Sequence, residues 1–168
     1  MIRDPLRRGQ ALAEFFLDVE PRLFADLAES GALPGPAGAE PPDDARGEWA
    51  CFALYACVRG LVAAGGFNRE TAAAIDALHE RVIEAWSAAK PGDGEESRDR
   101  VAERYREYGG IGQAGGAAGA ASVTRRLGEA AARHMSRSEP PPAALAELVG
   151  DLHESLVEGS AEAVRQAE

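Results

Sequence analysis

The chain has 168 residues, 45% of them hydrophobic and 27% charged, and a formal charge of −10 from 28 acidic and 18 basic side chains. That is about one domain's worth of ordinary globular composition, too apolar for a wholly disordered chain and too acidic to wrap nucleic acid by neutralising phosphates. Two cysteines cannot make a disulfide scaffold, and the abundant alanine tilts the chain towards helix.

In chain order, Leu12, Phe15, Phe16, Val19, Leu23, Phe24 and Leu27 recur at helical spacing and predict a helix over 4–30. Pro21 falls inside this stripe without shifting its phase, so two collinear or slightly bent pieces are expected. Residues 31–44, with four prolines and three glycines, predict a flexible loop. Asp43 or Asp44 is the expected cap of the next helix, which runs to Ala64. Its centre, WACFALYACV, is apolar on nearly every face, as in the most buried helix of a bundle. Cys51 and Cys57 lie in it as small buried hydrophobes with inert thiols.

Gly65 and Gly66 stop that helix, and Asn68 caps the next, over 69–89, with Glu70 in its first turn. Ile75, Leu78, Val82 and Trp86 share one face of it. Ser97 is the expected cap of a charged helix bearing Val101, Tyr105 and Tyr108. Helical structure is expected to falter in the glycine-alanine tract 109–121, since each interior glycine costs roughly 1 kcal/mol against alanine. A helical pattern resumes over 123–135. Ser138, followed by Pro140, Pro141 and Pro142, is the expected cap of the last helix. Leu145, Leu148, Leu152 and Leu156 form its apolar stripe, and Glu147, Asp151, Glu154, Glu158 and Glu162 its acidic outer face. No segment keeps strand alternation. The expected fold is all-α: a single-domain helical bundle, residues 1–168, of five to seven mostly antiparallel helices.

Several residues bear on chemistry. Gly110-Ile111-Gly112-Gln113-Ala114-Gly115 spells G-x-G-x-x-G, but a charged helical segment precedes it where a dinucleotide fold needs a buried strand. A hinge, or a close helix crossing through Gly112, Gly115, Gly116 and Gly119, fits the tract better. Asp76-x-x-His79 puts a carboxylate and an imidazole on one helical face; a di-iron bundle needs two such pairs and further glutamates, so no metal site is assigned and these two remain weak candidates. His79, His134 and His153 are expected exposed or half-buried, satisfied by neighbouring carboxylates. Arg59 is the single charge of the central apolar helix, with Tyr55 one turn before it. It snorkels to the surface, pairs with a structural Asp or Glu, or anchors an anionic ligand. Tyr105 and Tyr108, flanked by Arg104 and Arg106, complete the weak ligand-binding set of Arg59, Tyr55, Tyr105 and Tyr108.

No nucleophile elbow or catalytic constellation stands out, so no catalytic residue and no cofactor are assigned. The leading expectation is a small acidic interaction or regulatory protein without catalysis, such as an inhibitor or immunity-type partner of a basic protein. The alternative is a ligand- or metal-binding helical bundle, an enzyme in one version, using Asp76, His79 and Arg59. A cytoplasmic chain with a protein partner, a homodimer among the possibilities, and with neither nucleic acid nor membrane as partner, completes the expectation. Residues 1–5 carry no apolar targeting stretch, and the apolar run 49–64 is short for a bilayer and contains Arg59.

Overall fold

The structure is a computed structural model that describes residues 4–35, 43–90, 92, 94–114 and 119–166. It is an all-α bundle of six helices, with no strand among the described residues: α1 Pro5–Glu29, α2 Asp43–Gly65, α3 Arg69–Ala89, α4 Gly94–Ala114, α5 Ala120–Ser136 and α6 Ala143–Gln166. Sequential neighbours pack antiparallel where their contacts define a direction. Glu20 meets Arg46 and Arg8 lies by Gly65 across α1 and α2; Thr124 lies by Gly150 and Gly128 by Ala146 across α5 and α6. Helices two or four places apart therefore run the same way. Phe52 meets His153 and Cys57 meets Ser160 along α2 and α6.

Asp4 caps α1, its carboxylate accepting from the Leu6 amide at 2.9 Å, and Pro5 occupies the first helical position. The helix then continues unbroken through Pro21. Leu12 and Phe16 before the proline and Phe24 and Leu27 after it are all buried, so packing on one face outweighs the missing amide donor. α2 contacts all five other helices, which is why it tolerates apolar residues all round. Trp49, Phe52, Leu54, Cys57 and Leu61 are all buried on it. By length and composition 44–65 would also cross a membrane; in this fold the other helices cover most of it. Gly66, at φ +73°, ends the helix with its amide on the Val62 carbonyl at 2.7 Å, and Asn68 caps α3 by accepting from the Thr71 amide at 2.9 Å.

Four local expectations are corrected. α2 begins at Asp43, so Asp44 sits in its first turn and pairs with Arg137 instead of capping; the Asp43 side chain lies outside the described residues. α4 begins at Gly94, ahead of Ser97, with Glu95 and Glu96 favouring the positive helix end. It also runs on through Gly109, Gly110 and Gly112 to Ala114. There buried Tyr108 and partly buried Ile111 anchor the segment to the core, and that burial offsets the glycines' weak propensity. Ser138 does not cap α6, which starts at Ala143; its hydroxyl bonds the Ser136 carbonyl, and the three prolines lie outside the helix. Of the expected 31–44 loop, residues 36–42 lie outside the described residues, and 43–44 already belong to α2.

Close helix contact occurs at three glycines away from the 109–121 tract. A Cβ on Gly60 would meet Ser160 Cβ at 2.5 Å and the Val157 carbonyl oxygen at 2.8 Å. Gly9 abuts the Ala74 carbonyl of α3, and Gly128 the Ala146 carbonyl of α6, even more closely. In the tract itself, Gly109, Gly110 and Gly119 face open space, and Gly112 has only the Tyr55 hydroxyl nearby. Gly115 and Gly116 lie outside the described residues.

Candidate functional site

The fold brings Tyr55, Tyr105 and Tyr108 together, with Arg59 one turn along α2. The Tyr55 ring lies 5.2 Å from Tyr105 and 5.5 Å from Tyr108, centroid to centroid. Tyr108 stands edge-on to Phe52 at 5.2 Å, and His153 of α6 stacks on Phe52 at 4.3 Å with the planes 26° apart. At the other end, the Tyr105 hydroxyl and His79 Nε2 share a hydrogen bond of 3.0 Å. An aromatic chain thus joins α3, α4, α2 and α6. Edge-to-face and offset contacts of this kind each contribute about 0.5–1.5 kcal/mol beyond area burial.

Arg59 is paired. Its Nη1 donates to Glu154 Oε1 at 2.8 Å, and the Thr124 hydroxyl of α5 donates to the same oxygen at 2.9 Å. This ties α2, α5 and α6 with a charge that has its counter-ion in place; Glu154, 39% exposed, edges the acidic face it was expected to join, with its charge already paired. Asp76 is exposed, while His79 is partly buried with Tyr105 as partner. Among the described residues no group of three metal-ligating side chains converges.

His153 departs from expectation. It is fully buried, and among the described residues no carboxylate reaches it and neither ring nitrogen has hydrogen-bond geometry to a partner. Burial pushes its pKa down to about 3; the Arg59 cation adds to this, and the Phe52 backbone opposes it. Burial also lowers His79, against the pull of Asp76. Tyr105 and Tyr108 are pushed well above the usual phenol range, again by burial. The Tyr108 hydroxyl is buried without a partner among the described residues. His134 meets the carboxylate expectation, 2.6 Å from Glu107. Both thiols are buried, and burial pushes each up to about 12. His79, His153, Tyr105, Tyr108 and both thiols are therefore held neutral at ordinary pH.

On the far side of α6 the character changes. Glu147, Asp151, Glu158 and Glu162 are exposed along one face. Glu147 and Asp151, one turn apart, have no cation partner among the described residues, and both line a groove of about 760 Å³ between α5 and α6. The opposite wall carries Arg125, paired with Glu129, and Arg133, paired with Glu139 at 2.6 Å. The basic wall is internally neutralised and the acidic one is not.

The acidic face was legible from spacing alone. The roles of Phe52, Thr124, Glu154 and His153 were not, because each depends on which helices become neighbours. No protein-family model, curated protein or solved structure matches this chain.

Proposed function

We propose that this chain is a non-catalytic interaction protein that engages a basic protein partner through the exposed face of α6. The observation that carries this reading is the pair Glu147 and Asp151, uncompensated carboxylates one turn apart on the rim of the α5–α6 groove, with Glu158 continuing the row. Such a row raises the encounter rate with a positive surface and fixes its register, while the groove accepts long basic side chains. The neutral buried thiols, phenols and imidazole support the absence of catalysis, since none is a ready nucleophile or base at ordinary pH.

The test is a charge-reversal comparison on the basic protein fraction of the native host. E147K/D151K/E158K is set against D26K/E29K/E80K, which makes the same charge change at exposed positions of α1 and α3. Loss of a salt-sensitive partner with the first variant and its retention with the second is expected. Equal loss with both, or binding insensitive to salt, would overturn the reading.

A further inference from the structure

A second concavity lies away from α6, where α1, α2, α3 and α4 meet. It is a cleft of about 420 Å³, within the size range of small-molecule sites. Its wall includes Ala50, Trp86 and Ala89, an apolar surface with one large ring. Trp86 is half-buried, edge-on to Phe16 at 6.1 Å, and contributes to the cleft. Among the described residues three cations line it, Arg46, Lys90 and Arg100, against one carboxylate, Glu20.

Glu20 is the unusual member. It is 4% exposed, and its Oε2 accepts from Arg46 Nη2 at 3.1 Å. Its Oε1 is buried with no donor among the described residues. An unsatisfied buried acceptor costs about 1–3 kcal/mol, and native proteins seldom leave one without a reason. Across the cleft, Arg100 points its Nη1 at Gly47, so closely that a Cβ there would collide with it, and it donates from Nη2 to Glu96 at 2.9 Å. A guanidinium has five N–H donors, so that single bond leaves most of the fork open.

We propose that this cleft binds a small aromatic carboxylate bearing an amino or hydroxyl donor. The donor satisfies Glu20 Oε1, the ring lies against Trp86, and the carboxylate meets Arg100, with Lys90 adding positive charge. Each part of the ligand answers a feature of the wall: the orphaned acceptor, the apolar ring surface and the excess of cations. The site shares no residue with the α6 face, so it stands or falls independently of the partner reading.

The test follows the Trp86 indole N–H by heteronuclear NMR during titration with 4-aminobenzoate, 4-(aminomethyl)benzoate, benzoate and aniline. At least one amino-carboxylate is expected to give a saturable shift, with benzoate and aniline about tenfold weaker. E20Q should shrink the advantage over benzoate, and R100Q, a change on a partly exposed helix face, the advantage over aniline. No saturable shift with either amino-carboxylate up to about 10 mM would overturn the proposal. So would equal binding of all four probes, or, where E20Q fails to fold, R100Q binding with unchanged preference.

Discussion

Glu48 of α2 and Arg104 of α4 face each other through two hydrogen bonds, from Nε at 2.6 Å and from Nη2 at 3.0 Å. Both side chains are mostly buried, at 10% and 13% exposure. The hydrogen bond to Glu48 raises the Arg104 pKa still further, so the guanidinium keeps its charge at any accessible pH. Removing Arg104 leaves Glu48 buried and alone, and removing Glu48 leaves Arg104 only the exposed Glu103 carboxylate at 3.3 Å; breaking a buried pair costs about 3–5 kcal/mol. E48A is accordingly expected to lower stability by about 3 kcal/mol. R104K is expected to rescue little, because an ammonium cannot make the two-pronged contact. The double replacement E48L/R104M should cost less than E48A alone. Urea unfolding midpoints at constant slope measure all three; an E48A loss below about 0.5 kcal/mol would show that water replaces the pair at no penalty.

Glycine substitutions separate packing from propensity. Gly60 and Gly128 lie against backbone or side-chain atoms of α6 that leave no room for a methyl group. G60A and G128A must spread the α2–α6 and α5–α6 interfaces, and each is expected to destabilise by at least about 2 kcal/mol. Gly110 is helical, exposed and faces open space. G110A should therefore stabilise by about 0.5–1 kcal/mol through propensity alone. Thermal melts of the three variants decide the matter, and a destabilising G110A would place something against that face of α4.

The same glycines show what the sequence could and could not reveal. Helix number, the buried α2, the Asn68 cap and the acidic outer row of α6 follow from period and cap chemistry within a single segment, and those were legible. The glycine tract is expected to form a hinge or a close crossing through Gly112, Gly115, Gly116 and Gly119; of these, Gly112 and Gly119 meet no helix closely, and the close contacts among the described residues fall at isolated Gly9, Gly60 and Gly128. A lone glycine in an amphipathic helix carries no local mark of its partner. It becomes informative once α6 is known to lie across both α2 and α5. Ser97 and Ser138 failed as caps for a related reason: cap residues are common, and the start of a helix also depends on how far its apolar face extends. The tyrosines and Arg59 were selected as residue types, while Glu20 and Trp86 were not associated, because α1 and α3 meet only in the folded chain.

The thiols give a further check. Cys57 is fully buried, and its sulfur accepts from the Ser160 hydroxyl at 3.2 Å; Cys51 is 2% exposed. With both pushed up to about 12 by burial, neither is a thiolate at neutral pH. Modification by an aromatic disulfide reagent should be negligible in the folded protein and reach two thiols per chain in denaturant. Rapid reaction of Cys51 in the native state would mean that the cleft it borders opens far wider than the structure shows.

His153 makes acid stability testable with a defined sign. Its folded pKa is about 3 against an ordinary 6.5, so between those values the unfolded chain holds a proton that the folded chain does not. Stability from this residue is fully present above the unfolded value and is lost as pH falls from about 6.5 towards 3, at up to about 1.4 kcal/mol per pH unit. His79, also lowered by burial, acts in the same direction, whereas Glu20, raised by burial, acts oppositely, because the folded chain takes up its proton first. H153F keeps a flat ring against Phe52 and removes the titration. Its extra volume shifts stability at every pH by about 1–3 kcal/mol, so the slope and not the absolute value is the readout. Denaturant unfolding from about pH 7 to about pH 4 should show a shallower acid loss in H153F than in the parent. Parallel curves would mean that His153 gains a proton inside the fold, and that the stack on Phe52 opens to water before the bundle unfolds.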